Sequence, residues 1–101
     1  MTHSVLSPAE IASRLTDSRL KDWQYQDGFL TKHFVFKNFQ QAVGFWVQTA
    51  LVSESLNHHA NWSGVYNRIS IQLQTHDAQG ITELDLKWAL AAEKILASLV
   101  V

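Results

Sequence analysis

Trp23-Gln24-Tyr25-Gln26-Asp27-Gly28-Phe29-Leu30-Thr31-Lys32-His33-Phe34-Val35-Phe36-Lys37 is the stretch that decides the fold. Aromatic and polar residues alternate up to Asp27-Gly28, a dipeptide suited to a tight hairpin turn. Aromatic and β-branched residues then continue from Phe29 to Lys37. The segment reads as a β-hairpin. Directly after it the apolar period lengthens. Asn38 offers a helix cap with Gln41 three residues on, and Ala42, Val43, Trp46, Ala50 and Leu56 form a helical stripe that ends near His58.

Working outward, Ser7-Pro8-Ala9-Glu10 carries a capping serine, a proline at the first helical position and a glutamate that closes a capping box, so a helix is expected to about Leu15. Val65 to Thr75 reads as extended, either one long strand or two short ones at a bend. Val65, Ile69, Ile71 and Leu73 would share one face, with Asn67 the polar exception, and His76 would end the strand on the polar side. Thr82 can cap a last helix running to about Leu99, with Asp85 well placed in its first turn. That helix carries two apolar stripes, Leu84/Trp88/Ala92/Ile95/Leu99 and Leu86/Ala89/Leu90/Ala97. One stripe would pack on the sheet. The other is either exposed, which suggests a subunit interface, or buried by a deeper seat. The order helix, strand, strand, helix, strand (or two strands), helix gives an α+β fold. An antiparallel sheet of three to four strands would have three helices on one face and a polar opposite face.

The 101 residues, 47% hydrophobic, suit a single domain over 1–101 with one core. One proline and four glycines argue for long regular elements. The chain has no cysteine, so no disulfide and no thiolate metal site, which fits a reducing cytoplasm. A net charge of -1 with scattered lysines and arginines gives no nucleic-acid footprint. No apolar run is long enough to span a membrane, and the N-terminus lacks a signal-peptide pattern. A soluble protein that stays in the cytoplasm is expected.

Three of the five histidines fall in Glu54-Ser55-Leu56-Asn57-His58-His59-Ala60-Asn61-Trp62 and Thr75-His76-Asp77. Histidine is the side chain whose ordinary pKa lies nearest neutrality, so this concentration suits proton exchange at pH 7. Glu54 and His58 are four apart and would share a helix face, where the carboxylate can orient the ring. Trp62 offers a flat surface for stacking. A helix end and a strand end meeting at one rim would form an acid/base pocket for a flat heterocycle.

Blander readings stand beside this one. His3 and His33 suit plain surface positions, and paired histidines at a helix C-terminus can simply favour the dipole. Trp46 and Trp62 suit a core, and Asp85 suits helix capping. Glu54, His58, His59 and His76 could also ligate a metal, although no H-E-x-x-H spacing is present.

At these residues the sequence resembles the pterin-4a-carbinolamine dehydratase family, whose pattern is an acid, three residues, two histidines, a proline and an aromatic. A Val-Tyr-Asn-like strand and a Thr-His-acid follow. Here these are Glu54, His58-His59, Trp62, Val65-Tyr66-Asn67 and Thr75-His76-Asp77. Gly80, Thr82, Asp85, Trp23, Asp27-Gly28 and Phe34-Val35-Phe36 extend the likeness over most of the chain. Ala60 stands where the family has proline, which permits one more helical residue there.

The resemblance implies the same α+β fold and dehydration of 4a-hydroxytetrahydrobiopterin, or a related 4a-hydroxytetrahydropterin, to the quinonoid dihydropterin. That reaction recycles the cofactor of aromatic amino acid hydroxylases and needs no metal or redox cofactor. By the same resemblance His58, His59 and His76 are the catalytic set, with His58 and His76 as acid/base candidates and His59 holding substrate. Glu54 would orient His58, while Asn57, Trp62, Gln74, Thr75 and Asp77 would line the pocket. The family also implies a homodimer or homotetramer and a functional link to a hydroxylase. In animals some members also serve as dimerisation cofactors of a homeodomain transcription factor, so an oligomeric protein-binding scaffold is the alternative. A metal hydrolase is a third reading.

Overall fold

The hairpin forms where the sequence places it. In the computed structural model, which describes residues 4–99, β1 (Gln24–Gln26) and β2 (Phe29–Val35) pair antiparallel, Gln26 opposite Phe29. Asp27 and Gly28 both take positive φ, 54° and 86°, the geometry that matches a tight turn to the twist of its strands. Three helices flank the strands: α1 (Pro8–Arg14), α2 (Phe39–Leu56) and α3 (Glu83–Leu99). Ser7 and Glu10 form the expected capping box on α1, and the Asn38 side chain accepts from the Gln41 amide at the start of α2.

The extended run expected over 65–75 is placed differently. Its first strand starts upstream: β3 (Asn61–Val65) and β4 (Arg68–Leu73) make a second hairpin about Tyr66-Asn67, with Tyr66 at φ 53°. The turn resets the alternation. Ile69, Ile71 and Leu73 are buried while Val65 is exposed. His76 does not end a strand, because β4 stops at Leu73 and His76 opens a short 3₁₀ turn, His76–Ala78.

The four strands form one antiparallel sheet in the order β1-β2-β4-β3. Leu30 and Phe34 from β2 and Ile69, Ile71 and Leu73 from β4 face the helices. The cross-strand set Thr31/Gln72 and His33/Ser70 lies on the opposite, polar face. His33 sits there, exposed, with Nδ1 2.7 Å from Ser70 Oγ; His3 lies outside the described residues.

α3 is seated deeper than a two-faced surface helix. Trp88 and Ala92 of one stripe and Leu86 and Ala89 of the other are all fully buried, so the second stripe is covered in its first half, while Leu90 is half-buried and Ala97 exposed. Trp88 Nε1 donates to Ser53 Oγ of α2 at 2.9 Å, and Glu93 Oε2 accepts from Trp23 Nε1 and Lys32 Nζ. Large exposed apolar side chains gather on α2, where Phe39, Val43, Trp46, Val47 and Leu51 are exposed. No helix is long and apolar enough to cross a membrane among the described residues.

Candidate active site

The end of α2 sets the first half of the site. The helix stops after Leu56 because Asn57 turns left-handed (φ 50°), a conformation that asparagine tolerates better than most residues. The Asn57 amide bonds back to Glu54 and Ser53, and the His58 amide donates to the Ser53 carbonyl at 2.9 Å. Asn57 therefore ends the helix without a proline at 60. Ala60 adds no helical residue and packs into the core.

This reversal sends the two histidines apart. His58 turns inward and is buried; His59 stays exposed. The carboxylate partners differ from the helical-spacing expectation. Glu54 does not orient His58. Its Oε1 lies 2.7 Å from His59 Nε2, on the surface. His58 Nε2 instead lies 2.5 Å from Oδ1 of Asp85, a residue with no exposed surface, 27 positions along the chain.

Asp85 is satisfied on both oxygens. Its Oδ2 accepts from Thr75 Oγ1 and from the Thr82 amide, each at 2.9 Å, and Thr75 Oγ1 lies 2.8 Å from Thr82 Oγ1. Thr82 Oγ1 in turn accepts from the Leu84 amide. The same aspartate thus closes the cap of α3, as its position predicts, and fixes the imidazole, which the sequence reading did not assign to it. A buried carboxylate is costly unless its lone pairs are met, and here three donors meet them. Among the described residues His58 Nδ1 has no protein partner, so it is the ring nitrogen left for a ligand.

The second half comes from the loop after β4. Thr75 and Gly80 pair across it, the Thr75 amide donating to the Gly80 carbonyl at 2.9 Å. His76 and Asp77 are exposed on that loop. Between the two halves lies a cavity of about 430 Å³, within the usual range of small-molecule pockets, roughly 300–1,000 Å³. Asn57, His58, His59, Ala60 and Asn61 line one side, Thr75, His76 and Asp77 the other, and Leu84 of α3 adds an apolar patch.

The structure thus gathers all three histidines, together with Asn57, Thr75 and Asp77. It does not bring Trp62, Gln74 or Glu54 to the cavity wall. Trp62 packs between Trp46 and Trp88 at centroid distances of 6.2 and 6.3 Å, and Gln74 Nε2 donates to the Gly28 carbonyl. Glu54 reaches the site only through His59. Sequence reasoning missed Ala60, Asn61 and Leu84 as lining and Asp85 and Thr82 as supports. The signal for Asp85 was its place three residues after a capping threonine. Among the described residues, no three His, Asp or Glu side chains are grouped to hold a metal ion. The imidazoles can exchange protons with a ligand between them, and the backbone and amide groups around them can fix a polar planar molecule.

Known proteins resemble the chain over most of its length. Residues 4–95 match the family model for pterin 4 alpha carbinolamine dehydratase. A relative in Rhizobium johnstonii is 45% identical over 94 residues, covering 91% of each chain. One in Prochlorococcus marinus is 44% identical over 95 residues, covering 94% of this chain and 97% of the relative. Both carry the provisional name pterin-4-alpha-carbinolamine dehydratase. A crystal structure from Brucella melitensis, described as a transcriptional coactivator/pterin dehydratase, superposes with a TM-score of 0.86 at 39% identity over 91% of this chain and 98% of that one. A pterin dehydratase-like RuBisCO assembly factor of the α-carboxysome shares the fold alone, with a TM-score of 0.61 at 22% identity over 72% of this chain and 84% of that one.

Proposed function

Because the chain belongs to the pterin-4a-carbinolamine dehydratase family, whose members are hydro-lyases, we propose that its histidine cavity dehydrates a 4a-hydroxytetrahydropterin such as 4a-hydroxytetrahydrobiopterin. The observation that carries this reading is the convergence of His58, His59 and His76, from two separate segments, on one cavity of about 430 Å³.

Losing water from the 4a carbon requires a proton on the departing hydroxyl and removal of one from a ring N–H. A general acid and a general base with pKa values near neutrality serve both steps, each contributing about 10²–10⁴-fold. Asp85 holds His58 Nε2, which leaves Nδ1 as the atom that gives or takes the proton. A buried aspartate fixing an imidazole tautomer is a recurrent device for this purpose. His76, exposed on the opposite wall, is the complementary group. One donates while the other accepts, so the proton count balances and only water leaves. His59, braced by Glu54, holds the substrate together with Asn57, Thr75 and Asp77. The product would be the quinonoid dihydropterin, and the proposed source of the 4a-hydroxy substrate is an aromatic amino acid hydroxylase. Stopped-flow dehydration of a synthetic 4a-hydroxytetrahydropterin tests the reading: turnover well above the spontaneous rate and unchanged by chelator is expected, and the spontaneous rate alone refutes it.

The chain is further proposed to act as a homo-oligomer, dimer or tetramer, through α2. That helix carries a single charged residue, Glu54, in 18, and its exposed Phe39, Val43, Trp46, Val47 and Leu51 recur at helical spacing. Two copies can meet there without like-charge repulsion. The same face favours a second reading, an oligomeric protein-binding scaffold, which the dehydration assay separates from the enzyme. By sedimentation, Val47→Glu with Leu51→Glu should halve the assembly mass or more; a wild-type monomer at all concentrations would remove the oligomer.

A further inference from the structure

His76 stands on a loop with little of its own to hold it. Thr75 at its base is fixed by Asp85 and Thr82, but beyond Thr75 the hydrogen bonds are internal to the loop: Ala78 to the Thr75 carbonyl, Gln79 to that of His76, and the Thr75–Gly80 pair. The His76 side chain is exposed, so the loop's position decides where that imidazole points into the cavity.

At its far end, around Gly80, the N-terminal segment bears on this loop. The Leu6 amide donates to the Ile81 carbonyl at 2.8 Å, and Leu6 packs against the core. This draws Val5 over Gly80 so closely that a Cβ on residue 80 would lie 2.7 Å from Val5 Cγ1 and 3.4 Å from Cγ2. Gly80 has no positive φ, so what a side chain there would meet is the Val5 side chain and not a backbone restriction. Downstream, the Ser7 capping box fixes the start of α1, and the Arg14–Glu83 ion pair joins α1 to the start of α3.

We propose that Val5 and Gly80 form a positioning contact for His76: the N-terminal strap seats on the glycine and sets the loop that aims the imidazole. The inference rests on the acid/base reading of His76 and names positioning residues, since neither touches the cavity. Misplacement of a reacting group by about 1 Å can cost on the order of 100-fold in rate.

The test is a set of four proteins, wild type, Val5→Ala, Gly80→Ala and the double variant. Turnover is measured alongside the His76 imidazole C–H signals in ¹H–¹³C spectra, assigned with His76→Gln. Gly80→Ala should lower kcat about tenfold and Val5→Ala about threefold, each with shifted His76 signals. The double variant, in which the alanine methyl takes the room that the valine methyls leave, should return both readouts close to wild type. Losses that multiply in the double variant, or single variants with unmoved His76 signals, overturn the proposal. If Gly80→Ala does not fold, the His76 signals of Val5→Ala decide alone. If the wild type has no dehydratase activity, the signals still decide the contact, so its failure and that of the functional reading are told apart.

Discussion

Replacing Asp85 should damage stability and chemistry by separable amounts. The residue has no exposed surface and accepts from His58 Nε2, Thr75 Oγ1 and the Thr82 amide. In Asp85→Ala the Thr75 hydroxyl can turn to Thr82 Oγ1, 2.8 Å away, but the Thr82 amide and His58 Nε2 lose their partners. Each buried unsatisfied group costs about 1–3 kcal/mol, so for these two a loss of about 2–6 kcal/mol is expected, the Thr82 amide carrying the lost cap within that figure. Asp85→Asn keeps the volume and one acceptor. If its oxygen keeps the Thr82 amide and the Thr75 hydroxyl, its NH₂ faces His58 Nε2 and drives the ring to the opposite tautomer, with the proton on Nδ1. The stability cost should then be only about 1–3 kcal/mol, while kcat falls by about 10²–10⁴, the contribution of general acid–base catalysis. Urea denaturation gives the first figure and stopped-flow dehydration the second. An Asp85→Asn protein with wild-type turnover, or an Asp85→Ala protein destabilised by less than 1 kcal/mol, would refute the reasoning.

Two further outcomes follow from the same geometry. His59→Ala and His76→Ala remove exposed side chains, so each should keep its unfolding free energy within about 0.5 kcal/mol yet lose most turnover; full activity in both would dismiss the site assignment. The Glu83 carboxyl is held below its ordinary value of 4.5 chiefly by the hydrogen bond from Arg14, against a burial penalty, with the Arg14 and Lys87 charges adding to the lowering. A carboxyl lowered by folding stabilises fully above its unfolded pKa, and that stability is lost as pH falls from about 4.5 through the folded value. Because the pair is half exposed the effect is small, about 0.5 kcal/mol; Glu83→Gln should flatten the dependence of Tm on pH in that window, and an unchanged slope would deny the pair any role.

The first hairpin and the helix that follows were legible because their signals are local. Asp27-Gly28 names its own turn, and Asn38 with Gln41 names its own cap. The second hairpin was less legible because its turn is Tyr66-Asn67: an aromatic at φ 53° is not a turn signal, and β-formers on both sides hide the reversal. The histidines could be found from their types and spacing, but their partners could not. Helical spacing favoured Glu54 for His58, yet Asn57 ends the helix one residue too early for that pair, and the bond goes to an aspartate brought in by α3. Trp62 neighbours the histidines in sequence, but strand alternation turns it to the helix side opposite Ile71, into the core. The burial of Leu86 and Ala89 along with Trp88 and Ala92 depends on α2 and on the 3₁₀ turn Ser18–Leu20 packing against α3, which no single-helix pattern reveals.

A crystal structure of the protein with a bound dihydropterin tests the central claim most directly. The account predicts the pterin ring between the His58–His59 segment and the His76 loop, with His58 Nδ1 and the His76 imidazole within hydrogen-bonding reach of its ring atoms. A pterin bound elsewhere on the molecule, with both imidazoles facing only solvent, would contradict it.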